Sequence, residues 1–261
     1  MPNVMRSFRP SCYLCGNAAD GSDDHVPPEV LFRGVGGRSY KSPEIITVPS
    51  GREHNEGASG DDELLAWVMA DAASSQSGAG FDVSRALLAP VTERIYKDRN
   101  FADERLQRCG MRIFRNPNDY DENGNPKPPA YDSEYILRTK QSLRDRWAIL
   151  KRSLQKVAAG LFFHATNGNS IGVLAASRLT VVVPEFKQIE PSITLSQLDW
   201  DEAAFFSKRL HWQTIVSGSP GVFQCDIAPH SGSKRFAMKM LFFESIRVWV
   251  KTNEADLGAG L

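Results

Sequence analysis

Three short stretches follow one another near the start of this chain: CYLC at 12–15, DHVPPEVLF at 24–32 and TVPSGREHN at 47–55. Each is weak evidence alone, since an Asp-His pair is usually a surface turn or a capped histidine. Their order constrains the fold. Residues 10–60 are rich in Gly, Pro, Ser and Asp, with only short β-like runs such as EIITV at 44–48. A compact, loop-rich unit of that composition needs something besides a large apolar core to hold it. Cys12 and Cys15, spaced Cys-x-x-Cys, offer metal or redox chemistry in a reducing compartment.

The remaining bulk properties set the frame. With 261 residues the chain fits one large domain or two small ones. Its 41% hydrophobic and 24% charged content suit a globular protein with a true core. No run approaches the ~18 apolar residues that span a bilayer, and the N-terminus lacks the apolar segment of a secretion signal. Four cysteines do not make a disulfide framework. These features together lead us to expect a cytoplasmic protein with no membrane partner. Lys and Arg number 31, and so do Asp and Glu, giving zero net charge. That argues against a surface wholly devoted to nucleic acid but leaves room for a local basic face.

From Asp61 the texture changes. Ser59, Asp61 and Asp62 read as a helix start ahead of LLAWVMA, and SSQSGAG at 74–80 as its end. A second helix is expected around 85–109, an exposed loop at 116–129, and a long helix over 133–163. On that last helix Leu137, Leu143, Trp147, Leu150, Leu154, Val157 and Leu161 share a side. Beyond it come strands: 178–183, 212–218, 221–227 and the run FAMKMLFFESIRVWV at 236–250. The expected class is α+β, with a unit over 1–75 followed by a helical and β-rich accessory region over 76–261.

An imidazole on a strand, a carboxylate beside it and an amide on a following helix suit one-metal hydrolysis of a phosphodiester. That reaction needs a base for water and hard oxygen ligands for Mg²⁺ or Mn²⁺. His25 would be the base, and Asp24 and Asn55 would hold the metal. Pro27 and Pro28 would limit backbone freedom just after the base.

The order Cys-x-x-Cys, DHVPPEVLF, IITVPSGREHN, then S-x-x-D-E resembles HNH endonucleases, whose ββα-metal unit supplies those groups. The resemblance covers about residues 10–65. It implies a metal-dependent endonuclease acting on double-stranded DNA, with His25 as general base, Asn55 at the final catalytic position and Asp24 as a metal ligand. It also implies a narrower expectation of an effector in bacterial defence against phage, working with a partner defence protein. The chain departs from that branch in two places. The second cysteine pair is replaced by Gly51 and His54, and the middle Asn of the motif falls on Glu44. Structural Zn²⁺ held by Cys12, Cys15 and His54 would therefore lack a local fourth ligand. The other reading makes the two cysteines buried remnants, or free thiols, in a unit held by packing.

Several further residues admit two readings. Asp61, Asp62 and Glu63 can approach a metal or serve a helix N-terminus. The helix over 134–156 carries Arg138, Lys140, Arg144, Arg146, Lys151, Arg152 and Lys156, either as a solvated face or as a stripe that follows phosphates, with Arg144 and Lys151 the contacts to test. Cys109 and Cys225 are expected in the core, and the lone histidines at 164, 211 and 230 are expected to be structural or at the surface. The competing functional reading is a non-catalytic nucleic-acid-binding or assembly module on a degenerate HNH scaffold, favoured by Glu44 and the altered cysteine pair.

Overall fold

The computed structural model describes residues 10–32, 45–74, 133–183, 211–215, 217–218, 221–229 and 235–252. Strand β1 (Ser22–Val26) pairs antiparallel with β2 (Ile46–Ser50), setting Asp24 opposite Val48 and His25 opposite Thr47. β1 ends where Pro27 and Pro28 remove two ladder donors, and a 3-10 turn follows at Glu29–Phe32. Helix α1 (Arg52–Glu56) comes directly after β2, and α2 (Ser59–Ser74) after that. The expected strand–strand–helix order over 22–56 is therefore present.

Helix α3 (Ser133–Ala165) and the short α4 (Val173–Ser177) lead to a second sheet. Its strands are β3 (Leu179–Val182), β4 (Gln213–Ile215), β5 (Phe223–Pro229), β6 (Phe236–Phe242) and β7 (Ile246–Thr252). They lie in the order β3-β7-β6-β5-β4, each antiparallel to its neighbour. The mixture of helix and antiparallel sheet is α+β. The sequence run 236–250 is thus two strands joined by a tight turn, with Phe243 and Glu244 both at positive φ. No described helix is long and apolar enough to cross a membrane.

One apolar core joins the small sheet to the large one. β6 alternates cleanly, burying Phe236, Met238, Met240 and Phe242, as a half-buried antiparallel strand should. Leu150, Leu154, Val157 and Leu161 of α3 are buried as the helical spacing predicts, and Phe162 stacks on Phe236 at 4.9 Å between ring centroids. Buried Leu64, Leu65, Val68, Met69 and Ala73 make α2 apolar round most of its girth, the pattern of a helix enclosed by other elements.

Two small residues far along the chain fix the position of β1. Ser217, fully buried, donates from Oγ to the Val26 carbonyl at 2.8 Å and accepts from the Ile46 amide at 3.0 Å. It thereby closes the last rung of the β1–β2 pair. Gly160 of α3 lets the Val26 side chain lie directly on the helix backbone. Alanine in place of a helix-interior glycine ordinarily stabilises by about 0.8–1 kcal/mol. At Gly160, however, the new Cβ would stand 2.6 Å from Val26 Cγ2. Overpacking costs about 1–3 kcal/mol, so Gly160→Ala should be destabilised overall in urea unfolding. A double-mutant cycle with Val26→Ala should show favourable coupling; independent effects would mean that the contact does not control this site.

Candidate functional site

The chain from Cys12 to Gly16 makes a tight knuckle. Gly16 donates its amide to the Cys12 carbonyl at 2.8 Å and takes a φ of 77°, which glycine adopts freely. The Tyr13 amide bonds to the Pro49 carbonyl at 3.0 Å, so the knuckle sits against the end of β2. Because α1 begins just beyond, His54 comes back over the two thiols. Donor atoms of Cys12, Cys15 and His54 all lie within 4.8 Å of one another, and Cys12 Sγ is 3.5 Å from His54 Nδ1.

These positions suit a metal with soft and borderline ligands. Zinc bonds of ~2.3 Å to sulfur and ~2.0–2.1 Å to nitrogen, at the tetrahedral angle, imply an S···N edge of about 3.6 Å. The 3.5 Å contact, itself a thiol–imidazole hydrogen bond, is close to that edge. Burial acts to raise the Cys12 thiol pKa. The N–H groups of Cys15, Gly51 and Leu14, joined by the Cys15 thiol, outweigh it and bring Cys12 below its ordinary value. Burial raises Cys15, and its neighbour Cys12 adds to the rise. The two thiols are therefore shifted in opposite directions, Cys12 downward and Cys15 upward. Among the described residues this is the only group of three or more His, Cys, Asp or Glu side chains so gathered.

Helix α1, with five residues, is below the length at which helices hold themselves together. Three ties substitute. The Asp20 carboxylate accepts from the Arg52 amide through both oxygens at 3.0 Å, at the helix end where a negative charge is favoured. His54 faces the thiols. Asn55 donates from Nδ2 to Ser22 Oγ at 2.7 Å and to the Asp23 carbonyl at 2.9 Å. The amide expected at the final catalytic position thus grips the start of the strand that carries His25. Its Oδ1 has no hydrogen bond among the described residues.

His25 is half-buried on β1. Side chains alternate along a strand, so His25 and exposed Asp23 share one face while Asp24 and Val26 point to the core. Asp24, expected as a metal ligand beside His25, is engaged elsewhere. Its Oδ2 accepts from the Tyr13 hydroxyl at 2.7 Å and lies 3.0 Å from Lys156 Nζ. The same ammonium is 3.2 Å from Asp62 Oδ2. The side chains of Asp24, Lys156 and Asp62 are only 5%, 11% and 14% exposed, so the cluster is largely dry.

This cluster revises two sequence expectations. Lys156 does not belong to a phosphate-following stripe, because its charge is buried against two carboxylates. Asp62 serves that ion pair and not merely a helix terminus. Two carboxylates on one ammonium leave an excess negative charge, and Asp62 responds. Burial, against the pull of Lys156 and helped by the charge of Asp24, raises its pKa from 3.8 to about 6. Its Oδ1 is buried without a hydrogen bond. Tyr13, buried beside Asp24, has its pKa pushed well up and stays a phenol. Tyr13 and Asp23 are the site residues that motif reasoning did not single out.

Lys151 is half-buried on α3, and Arg144 lies on the same helix. Cys225 is buried as expected, and His164 and His211 are exposed. Glu44, Cys109, His230, the helix at 85–109 and the loop at 116–129 lie outside the described residues. No protein-family model, curated protein or solved structure matches the chain.

The raised pKa of Asp62 has a definite sign in stability. Between pH 3.8 and about 6 the folded chain holds a proton there that the unfolded chain has released. That contribution is complete below pH 3.8 and is lost as pH rises through about 6. Urea unfolding of wild type and Asp62→Asn over pH 4–7 should show the wild type losing stability relative to the variant across this window. A pH-independent difference would mean that Asp62 titrates normally in the folded protein.

Proposed function

We propose that this chain is a metal-dependent endonuclease that hydrolyses phosphodiester bonds in DNA. The observation that carries the reading is the strand–strand–helix unit in which Asn55, on α1, is hydrogen-bonded to β1 next to His25, above the Cys12–Cys15–His54 group. His25, on the outward face of β1, would take the proton from the attacking water. Asn55 Oδ1 and the carboxylate of neighbouring Asp23 are hard oxygen donors, the kind that Mg²⁺ or Mn²⁺ prefers. Such an ion would supply charge to the scissile phosphate and its leaving oxygen. Asp24 then acts as a positioning residue, fixing which way β1 faces through Tyr13 and Lys156. Zn²⁺ at Cys12, Cys15 and His54 would be structural, holding the knuckle against α1.

One observation favours the other reading, a nucleic-acid-binding or assembly module without catalysis. The carboxylate adjacent to His25 is neutralised by a buried lysine and so is withdrawn from metal binding. Plasmid cleavage by pure protein with Mg²⁺ or Mn²⁺, with and without EDTA, separates the two. On the nuclease reading His25→Ala should lower the cleavage rate by ~10²–10⁴ while leaving the fold and DNA affinity intact. Asp23→Asn should weaken the dependence on the added cation. Neutralising Arg144 and Lys151 should reduce DNA affinity and its salt dependence by about one unit of slope per lost phosphate contact. A wild type that cuts nothing under either ion leaves the binding module.

A further inference from the structure

The Cys12–Cys15–His54 group supplies three donor atoms within 4.8 Å of one another, one fewer than a closed tetrahedral zinc site needs. Beside it stands a residue without a side chain. Gly51, the residue just before α1, has φ −75° and ψ 144°, extended backbone that any L-residue adopts. A Cβ built on it would meet His54 Nδ1 at 3.5 Å and nothing else within 4 Å. Neither backbone strain nor packing therefore demands glycine. A side chain there would lie beside His54 Nδ1, the nitrogen 3.5 Å from Cys12 Sγ, while the amide of the same residue bonds to the Cys12 sulfur. Cys12 is fully buried, but Cys15, His54 and Gly51 are each part-exposed, so solvent reaches the group from the Gly51 side. No fourth His, Cys, Asp or Glu joins it among the described residues.

We propose that this centre binds Zn²⁺ through three protein ligands and keeps a fourth position, beside Gly51, for an exchangeable ligand. Water holds that position at rest, and a neutral nitrogen donor or a thiolate can replace it. Four protein ligands close a zinc site and make it purely structural, whereas three leave it able to exchange a ligand. The inference rests on the metal half of the proposed function and is independent of cleavage by His25.

The test replaces zinc with Co²⁺ in the full chain and follows its visible spectrum during titration with imidazole. The wild type should give a saturable shift of the ligand-field bands. Gly51→Cys should show added sulfur-to-cobalt charge transfer, no imidazole response, and tighter zinc binding in competition with a chromophoric chelator. Gly51→Ala places a Cβ without a donor atom and should keep the imidazole response, which separates ligation from any general effect of substitution at 51. A wild-type spectrum indifferent to imidazole and matching that of Gly51→Cys would overturn the inference, because a fourth protein ligand would already be bound. Failure to bind Co²⁺ or Zn²⁺ stoichiometrically would overturn it together with the structural-metal role. Absence of plasmid cleavage with the imidazole response intact would support this inference while overturning the nuclease reading alone.

Discussion

A single ammonium group organises the small sheet. Lys156 comes from α3, Asp24 from β1 and Asp62 from α2, while Tyr13, bonded to Asp24, comes from the cysteine knuckle. Two carboxylates therefore meet at Lys156 Nζ, with Tyr13 joined through Asp24. Their association is not obviously a source of net stability, because desolvating three charges offsets much of their attraction. Removing one partner is a different matter: an unpaired buried charge costs about 3–5 kcal/mol. The cluster is thus a device for registration. A slip of β1 by one residue would turn Asp24 and Val26 outward and His25 inward, leaving Lys156 with Asp62 as its one carboxylate and taking Val26 off Gly160. Electrostatics inside the core dictate which side chain of the Asp-His pair meets solvent.

That geometry explains which parts were legible in the residues. The strand pair and the helix after it followed from local order, and the gathering of Cys12, Cys15 and His54 followed from the order of the motifs, although His54 stands 42 residues beyond Cys12. The buried face of α3 followed from its period, because Leu150, Leu154, Val157 and Leu161 face a continuous apolar sheet. The β6–β7 turn was not legible. Turns of this type ordinarily use Asn or Gly where φ is positive, but here Phe243 and Glu244 take φ of 51° and 54°. The Phe243 side chain is fully buried, so packing overrides the local preference.

Charge was the least legible property. Lys156 sits in a run of basic residues that looks like a solvated face, and Asp62 in an acidic pair that looks like a helix start. Nothing local distinguishes them from Arg152 and Asp61, one turn or one residue away, whose own pair is exposed at 3.8 Å. The difference arises only when α2 and α3 pack and one member of each pair turns inward. Ser217 and Gly160 were hidden for the same reason. Their importance lies in what crosses them, the Val26 carbonyl and the Val26 methyl groups, and not in their own chemistry.

The metal group and the His25 strand are mechanically linked through α1. His54 and Asn55 are consecutive, yet one faces the thiols of the knuckle and the other grips Ser22 and the Asp23 carbonyl. A five-residue helix cannot maintain that division by its own hydrogen bonds. An ion seated between Cys12, Cys15 and His54 would fix the rotation of α1 about its axis, and with it the direction in which Asn55 Oδ1 is presented. The Asp20 cap holds one end of the helix, and the Asn55 bonds hold the side that faces β1. A change of ligand at the fourth corner beside Gly51 would act on the first turn of the same helix, one rigid step from Asn55. A metal held there by three protein ligands would therefore leave the strand–strand–helix unit intact while making the aim of its amide sensitive to what occupies the fourth position.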